Sequence, residues 1–173
     1  MVMNFDKKFY QNNFFRLERY RVSADKVSAD EPESNEAVVK IVVPEKNAKG
    51  RVEKKFLAEY QPENKKFVAL TATSGGDGTV DALDRALRKL LEPIYPFLKL
   101  VRLVRYEVQS TQRRAGTSSE VEVFVLAANK DGKLYFSEVS SLSVIEASFS
   151  ALANIYNRYF KDYYLQKKDV DRA

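Results

Sequence analysis

The sequence predicts an α+β fold in which two βββα units are related by an internal pseudo-two-fold axis. The first observation is a repeat, because the stretch LERYRV (Leu17–Val22) returns as LVRYEV (Leu103–Val108), a shift of 86 residues from 17 to 103. The second is that two further strand-like runs follow each copy in the same order. The third is that an apolar stripe with helical spacing then closes each set. A chain that repeats its elements in this order is expected to pack the two units against each other.

Six strands are predicted from runs that alternate apolar and polar residues or are rich in β-branched and aromatic side chains. In the first unit, LERYRV is followed by AVVKIVV (Ala37–Val43) and KFVALTAT (Lys66–Thr73). In the second unit, LVRYEV is followed by EVEVFVL (Glu120–Leu126) and GKLYFSEV (Gly132–Val139). Each unit is therefore expected to present one apolar sheet face.

One helix closes each unit, and the two helices share a register. The first stripe recurs at steps of three and four residues, and its members are Val80, Leu83, Leu87, Leu90 and Ile94. The same steps return 65 residues later, from 80 to 145, in Ile145, Ser148, Leu152, Ile155 and Tyr159. Each stripe defines one helix face that is expected to pack on a sheet.

These elements give a single domain over residues 1–173, with a first unit at about 14–95 and a second unit at about 100–161. The shift between the units falls from 86 residues at the first strands to 65 at the helices, so the first unit holds about 21 additional residues. We assign them to the charged stretch 44–64, as a long loop or an added hairpin. Residues 162–173 are predicted to extend the last helix and then to form a frayed tail.

The amino-acid composition excludes several kinds of catalytic and metal-binding site. Of the 173 residues, 45% are apolar, which is enough for a sizeable core. The chain has neither cysteine nor histidine, which excludes disulfides, thiolate and histidine-based zinc sites, and triads that need either residue. We therefore predict no catalytic residues, no metal and no cofactor. We also predict a cytoplasmic protein without a membrane span, since no signal peptide is recognisable and no apolar run approaches the roughly 18 residues of a spanning helix.

The net charge of +5 makes nucleic acid a partner to consider. However, the 29 basic residues are mixed with 24 acidic ones, and the densest basic stretches, Lys99–Arg105 and Arg113–Arg114, are short. A basic nucleic-acid-binding domain is therefore a less favoured alternative than a solvated surface of mixed charge.

A glycine-rich stretch, SGGDG (Ser74–Gly78), precedes the first helix. It lacks the lysine and hydroxyl residue of a phosphate-binding loop and the third glycine of a dinucleotide-binding turn. Asp81 and Asp84 add negative charge to the first helical turns, which would repel phosphate. Two interpretations remain. The stretch is either a tight turn with glycines at positive φ and Asp77 or Thr79 as the helix cap, or one wall of a small pocket.

The second helix starts at an equivalent corner, where Ser143 and Glu146 have the spacing of a capping box. Tyr20 and Tyr106 occupy equivalent places on the first strands of the two units, and they either pack on the sheet or line an apolar pocket. Amide groups at helix N-termini suit a carboxylate, and Asp77 suits an ammonium group. An apolar pocket with both features describes a site for an amino acid.

Two separated motifs also resemble a known family. The stretches GDGTVDALDRALRKLLEPIYPFLKLVRLVRYEV, from Gly76, and VIEASFSALANIYNR, from Val144, are similar to the C-terminal regulatory (allosteric, dimerisation) domain of the 2-isopropylmalate synthase and citramalate synthase family. The resemblance covers about residues 14–160 and is closer to the citramalate branch. It implies a homodimer that binds leucine or isoleucine at its interface as a feedback inhibitor. It also implies a catalytic TIM barrel in cis or in trans, so that this chain is not itself an enzyme.

The resemblance further implies an effector site made of three segments, namely the glycine-rich corner, the strand after the first helix, and the second corner. Its residues are Gly76, Asp77, Gly78, Val80, Leu103, Tyr106, Ser143, Val144 and Ile145. The chain departs from the family pattern at Thr79, Arg105 and Val139, where the family has proline, aspartate and glycine. These departures leave open an alternative function, a structural dimerisation module whose effector site has decayed.

Overall fold

A computed structural model describes residues 14–26, 28–30, 33–51, 67–111 and 119–170 of the chain. The strands are Arg16–Asp25 (β1), Ser34–Pro44 (β2), Phe67–Gly76 (β3), Val101–Ser110 (β4), Val121–Asn129 (β5) and Leu134–Ser141 (β6). The α-helices are Glu45–Ala48 (α1), Thr79–Leu91 (α2) and Val144–Val170 (α3), and a 3-10 helix spans Pro96–Leu100. Apart from the single turn of α1, this order is βββα twice, as the repeat predicts.

Each unit forms its own antiparallel sheet, with strand order β1-β2-β3 in the first unit and β4-β5-β6 in the second. The first strand of each sheet has an irregularity at the same place, between Leu17 and Arg19 in β1 and between Leu103 and Arg105 in β4. The 86-residue shift maps one irregularity onto the other. The duplication therefore extends to backbone detail, and the predicted pair of βββα units is confirmed.

The core lies between the sheets and the helices. α2 packs on β2 and β3, and α3 packs on β5 and β6. The side of each sheet that faces a helix is called the inner face below, and the opposite side is called the outer face. Val39 and Ile41 of β2, and Val123 and Val125 of β5, lie on the inner faces and are fully buried. The alternation of apolar residues along β2 and β5 thus indicates which face of each sheet packs against a helix.

The predicted apolar stripes form the buried faces of the two helices. Val80 and Ile145, at the helix starts, are only partly buried. Ile94 is buried although α2 ends at Leu91, because the chain turns there and keeps Ile94 against the core. Ser148 is the polar member of the second stripe, and its buried hydroxyl is bonded within α3.

A buried polar cluster joins the two helices. Tyr156 of α3 is fully buried, and its hydroxyl donates a hydrogen bond to the Asp84 carboxylate of α2. Arg88 also donates to Asp84, from Nε at 3.0 Å, and to the carbonyl of Val101 at 3.0 Å. Burial, followed by the nearby negative charge of Asp84, raises the pKa of Tyr156 well above its ordinary value. The cluster links the first unit to the second through groups that satisfy one another.

α3 continues to Val170, so residues 162–170 extend the last helix, as the sequence predicts. Residues 171–173 lie outside the described residues. Aromatic contacts hold this part of the helix. The Tyr163 ring stacks on Phe97 with 3.8 Å between centroids, and the Tyr164 ring stacks on Phe14 at 5.4 Å. The second unit therefore extends past its predicted end near residue 161.

The stretch 44–64, predicted as a long loop or added hairpin, is described only in part. Pro44 ends β2, the turn of α1 follows at once, and Gly50 takes a positive φ of 72° in the next turn. The stretch thus begins with a helical turn, and residues 52–66 lie outside the described residues. Within the described ranges, none of the helices has the length and apolar character needed to cross a bilayer.

Candidate functional site

The first corner joins β3 to α2 through the glycine-rich stretch. Gly78, the N-cap residue of α2, has φ −157° and ψ 170°, which is extended backbone that any residue adopts. The prediction of positive φ in this turn is therefore wrong. Among the described residues, only Gly50 and Gly132 have positive φ. The reason for Gly76 is steric, because a Cβ there would lie 2.8 Å from the Cα of Ala82 in the first turns of α2. Close approach of strand and helix requires this glycine.

An acidic side chain of α2 closes the first corner. The Asp81 carboxylate accepts a hydrogen bond from the backbone N–H of Asp77 at 2.9 Å and pairs with Arg85 at 2.9 Å. The Asp77 carboxylate also pairs with Arg85, at 3.2 Å, and its side chain is 96% exposed. The predicted cap by Asp77 or Thr79 is wrong, since Gly78 is the N-cap residue and no side chain caps the helix. The amides of an uncapped first turn suit a bound carboxylate.

A buried acceptor lies beside this corner. Asn35 of β2 pairs with Gly76 of β3, and it shares the inner face with Ala37 and Val39. Its Oδ1 atom is buried and has no hydrogen-bond partner in the described part of the chain. Such an acceptor destabilises a fold by about 1–3 kcal/mol unless a donor reaches it. Sequence analysis missed Asn35. The available signal was one polar residue in an otherwise apolar inner-face series.

The second corner is closed by hydroxyl groups. The backbone N–H of Glu146 donates to Ser143 Oγ at 3.2 Å, which confirms one half of the predicted capping box. The other half runs through Ser141, whose hydroxyl donates to the Glu146 carboxylate at 2.6 Å and whose Oγ accepts from the N–H of Ser143 at 3.1 Å. Glu146 follows Asp81 by the same 65-residue shift, so the two corners place an acid at equivalent helix positions.

Tyr106 of β4 reaches the start of α3. It lies on the inner face opposite Val125, and its hydroxyl oxygen is 2.8 Å from Ser148 Oγ. Because Ser148 donates its own hydrogen to the carbonyl of Val144 at 2.6 Å, the Tyr106 hydroxyl is the donor to Ser148. Tyr106 is nevertheless 39% exposed. The hydrogen bond therefore fixes an accessible aromatic ring beside the second corner.

An exposed apolar surface continues from this ring. Val108 follows Tyr106 on the inner face of β4 and is 40% exposed. Leu142 and Val144, at the second corner, are 62% and 36% exposed. We call these four residues the seam surface. Clustered apolar side chains that remain exposed in one chain are typical of binding or assembly sites.

Tyr20, the counterpart of Tyr106 in the first unit, packs on the helix of the second unit. Its ring meets Phe149 edge to face, with 5.3 Å between centroids. Burial, together with the negative charge of Glu146, raises the pKa of the Tyr20 hydroxyl. The interpretation of Tyr20 as a packing residue is confirmed, and it brings β1 to the first turns of α3.

The predicted effector-site residues fall into two groups. The second corner and the strand beside it hold Leu103, Tyr106, Ser143, Val144 and Ile145. The first corner holds Gly76, Asp77, Gly78 and Val80. In the described ranges, no hydrogen bond or ring contact joins the two groups. The first-corner group is glycine-rich and lies beside the buried acceptor Asn35, whereas the second-corner group is largely apolar.

The duplicated βββα fold, the paired strand-to-helix corners and the exposed seam surface define a duplicated α+β regulatory or assembly domain. Residues 3–160 match the family described as the LeuA allosteric (dimerisation) domain, and the chain belongs to this family. The match extends from before β1 into α3 and so includes both corners.

Parts of the chain are also similar to (R)-citramalate synthases. The enzyme of Aquifex aeolicus is 45% identical over 89 residues, which are 50% of this chain and 16% of that protein. The enzyme of Geobacter sulfurreducens is 40% identical over 77 residues, 44% of this chain and 14% of that protein. The enzyme of Streptomyces coelicolor is 39% identical over 87 residues, 50% of this chain and 16% of that protein. This chain thus matches only a small part of each synthase.

Proposed function

We propose that the chain is the non-catalytic allosteric domain or subunit of a 2-isopropylmalate or citramalate synthase-type enzyme. It binds a branched-chain amino acid, leucine or isoleucine, at the interface of a homodimer and thereby mediates feedback inhibition. The catalytic barrel is supplied in the same chain or by another. The seam surface carries the proposal, because it leaves apolar side chains uncovered directly beside a helix N-terminus. Family membership and the similarity to (R)-citramalate synthases support the enzyme class.

The groups at the two corners match the three parts of such an amino acid. The branched side chain contacts Tyr106 and Val108, which are accessible and apolar. The carboxylate accepts hydrogen bonds from first-turn amides of a helix. The ammonium group donates to the unpartnered Oδ1 of Asn35 and meets the exposed carboxylate of Asp77. Each polar group of the ligand then has a partner of suitable charge.

A homodimer completes the site. Since no hydrogen bond or ring contact joins the two corners within the described part of one chain, a second copy at the seam surface would bring its first corner to the Tyr106 side. A two-fold axis repeats the arrangement, which gives two equivalent effector sites. Effector binding and dimer geometry are then coupled, with the roughly 1–3 kcal/mol that is typical of allosteric systems.

Isothermal titration of the full chain with leucine, isoleucine and valine tests the proposal. We expect saturable heat with leucine or isoleucine and a rise in the melting temperature. Tyr106→Phe removes the hydroxyl that donates to Ser148 and should weaken effector binding about three- to tenfold, the equivalent of one hydrogen bond. Tyr163→Phe, in the distant aromatic contact with Phe97, is the matched control and should bind normally. Absence of heat and of a thermal shift at millimolar amino acid would contradict effector binding.

The alternative is a structural dimerisation module without an effector. It is favoured by the departures from the family pattern at Thr79, Arg105 and Val139. Arg105 lies on the outer face and pairs with Glu107, so this departure does not touch the Tyr106 side of β4. The alternative expects a stable dimer by light scattering together with a silent titration.

The nucleic-acid alternative depends on two short basic stretches. Arg113–Arg114 lies outside the described residues, and in the other stretch Arg105 is paired with Glu107 at 2.5 Å. A domain of this kind would retard generic RNA at low ionic strength and release it as salt is added.

A further inference from the structure

The outer face of the second sheet carries an apolar patch that the core does not use. Phe124 and Leu126 of β5 alternate with the buried inner-face residues, and both are partly exposed. Next to them on β6, Leu134 and Phe136 are 59% and 55% exposed. We call these four residues the outer patch. It lies on the opposite side of the sheet from the seam surface, on the central strand β5 and the edge strand β6.

The first sheet shows that the fold does not require this patch. In the second sheet, Leu126 pairs with Arg105 on one side and with Phe136 on the other. At the same register in the first sheet, Arg19 is followed across the strands by Lys40 and Thr71. The same backbone is thus built with lysine and threonine where the second unit has leucine and phenylalanine. Apolar residues that the fold does not need, exposed on a sheet face, indicate an interaction surface.

The charges around the patch have both signs. Arg105 pairs with Glu107 at 2.5 Å and lies 6.0 Å from the Phe124 ring. Arg158 of α3 lies 5.8 Å from the Phe136 ring on the other side. Glu138 is the neighbour of Phe124 on β6. A rim of this kind does not select a strongly acidic or strongly basic partner, and it suits a surface of the same composition.

We infer that the outer patch is a self-association surface that packs on the outer patch of a second copy about a two-fold axis perpendicular to the strands. The pairing of residues across β4, β5 and β6 supports this two-fold arrangement. One row across the sheet is Glu107, Phe124 and Glu138, and the next row is Arg105, Leu126 and Phe136. A two-fold axis between the rows exchanges them.

This exchange makes the surface complementary to itself. Phe124 meets Leu126 of the second copy, so the apolar parts cover each other as in a sheet-on-sheet core. Arg105 meets Glu107 of the second copy, and the reverse pair forms at the symmetric position. Glu138 of one copy approaches Arg158 of the second copy, which lies over the Phe136 ring of that second copy. Glu138 also shares a hydrogen bond with Glu122, and the proximity of the two carboxyl groups raises its pKa, so a cation there is stabilising.

The contact is separate from the proposed effector interface and does not depend on it. The seam surface and the outer patch lie on opposite sides of the second sheet. A chain that uses both surfaces contacts two different copies, whereas a chain that uses only the outer patch forms a dimer. Loss of the outer contact therefore lowers the mass of the assembly in either case.

Sedimentation and light scattering over a range of concentrations test the inference. The variant is Leu126→Lys with Phe136→Thr, which installs the residues that the first sheet carries at the same register. We expect the mass of the assembly to fall to that of a dimer, or to that of a monomer where the outer patch is the sole contact, with an unchanged cooperative unfolding transition by circular dichroism. Lys40→Ala on the outer face of the first sheet is the control and should leave the mass unaltered. A variant with wild-type mass, or a wild-type chain that stays monomeric, would overturn the inference.

Charge reversal tests the symmetry of the contact. Arg105→Glu alone and Glu107→Arg alone should each lower the mass, because like charges then face each other across the axis. An equimolar mixture of the two variants should recover the wild-type mass, since each copy then supplies the opposite charge to the other. Failure of the mixture to recover would exclude this two-fold arrangement. Titration of the Leu126→Lys, Phe136→Thr variant with leucine and isoleucine keeps the result separate from the proposed effector function.

Discussion

Asn35 is the residue at which the two units differ most in chemistry at their corners. It pairs with Gly76, and the equivalent pair in the second unit is Val121 with Ser141. There the Ser141 hydroxyl donates a hydrogen bond to the Glu146 carboxylate, and Val121, the residue equivalent to Asn35, is apolar. In the first unit the acceptor stays buried and has no partner in the described part of the chain. Among the described residues, the asymmetry places an unpartnered buried acceptor beside the first corner and none beside the second.

Asn35→Val, which copies the second unit, should separate stability from binding. Removal of an unsatisfied buried acceptor should leave the free energy of unfolding unchanged or raise it by up to about 1 kcal/mol. Leucine or isoleucine should bind at least about tenfold more weakly, because a charge-assisted hydrogen bond from the ammonium group is lost. Denaturant unfolding and calorimetric titration measure the two effects. A large loss of stability would show instead that Asn35 serves the fold.

The corners also show what a sequence can and cannot predict at this scale. The Ser143 cap was predicted because serine and glutamate at that spacing have a known local geometry. The sequence predicted a need for glycine at this corner, but it assigned that need to positive φ. At Gly76 the actual reason is the close approach of Ala82, which depends on how α2 docks on β3. Asn35 was missed because a sequence carries no record of an unfilled hydrogen bond, and its Oδ1 has no partner among the described residues.

At the scale of elements, the apolar periodicity predicted the six described strands and both long helices, since period-two and helical spacings are local properties. An extension of α3 was predicted, but the residue at which the helix ends was not. Its last turns, KDYYLQKKD, have no apolar stripe, and their order comes from distant aromatic partners such as Phe97 and Phe14. The outer patch was also passed over, because alternation in EVEVFVL was interpreted as one buried and one solvated face.

Tyr164→Ala tests the contribution of the last turns of α3. The substitution removes a ring that stacks on Phe14, so the free energy of unfolding should fall by about 1–3 kcal/mol. The neighbouring residue provides the control, because Leu165 is 50% exposed and Leu165→Ala should change stability by less than about 0.5 kcal/mol. Urea unfolding monitored by circular dichroism measures both. Equal effects of the two substitutions would show that the Tyr164 ring contact does not stabilise the last turns of α3.

The buried cluster between α2 and α3 gives a pH-dependent prediction. Tyr156→Phe deprives Asp84 of a donor and should lower the free energy of unfolding by about 1–3 kcal/mol near neutral pH. The pKa of Tyr156 is raised in the folded state, first by burial and then by Asp84. The unfolded tyrosine ionises above about pH 10 while the folded one keeps its proton, so the contribution of Tyr156 is present below that pH and declines above it.

The advantage of the wild type over Tyr156→Phe should therefore shrink as the pH rises from about 9 to about 11. Paired urea titrations of the two proteins across this range measure the difference directly. A difference that stays constant through pH 11 would show that Tyr156 titrates alike in the folded and unfolded states.

The whole molecule combines a duplicated interior with two divergent surfaces. The inner faces of the central strands β2 and β5 are buried under the helices, whereas Tyr106 and Val108 on the inner face of β4 stay exposed. The seam surface, which contains these two residues, and the outer patch both belong to the second unit. The first unit contributes the glycine-rich corner with its buried acceptor. The proposed function and the proposed self-association therefore assign the glycine-rich ligand corner to the first unit and the contact surfaces to the second.

If the effector site is divided between two copies, ligand binding and dimer formation must promote each other to the same extent. Val108→Lys places a charge in the seam surface, where Val108 is 40% exposed, so we expect the lysine to reach solvent in the monomer. We expect this variant to dimerise more weakly and to bind leucine or isoleucine at least about tenfold more weakly, the equivalent of about 1.4 kcal/mol of coupling.

In the wild type, saturating effector should lower the seam dissociation constant by the same factor, as measured by sedimentation velocity with and without ligand. The Leu126→Lys, Phe136→Thr variant isolates the seam dimer and should show the full effect. Effector affinity that is independent of protein concentration and unchanged in Val108→Lys would place the whole site within one chain.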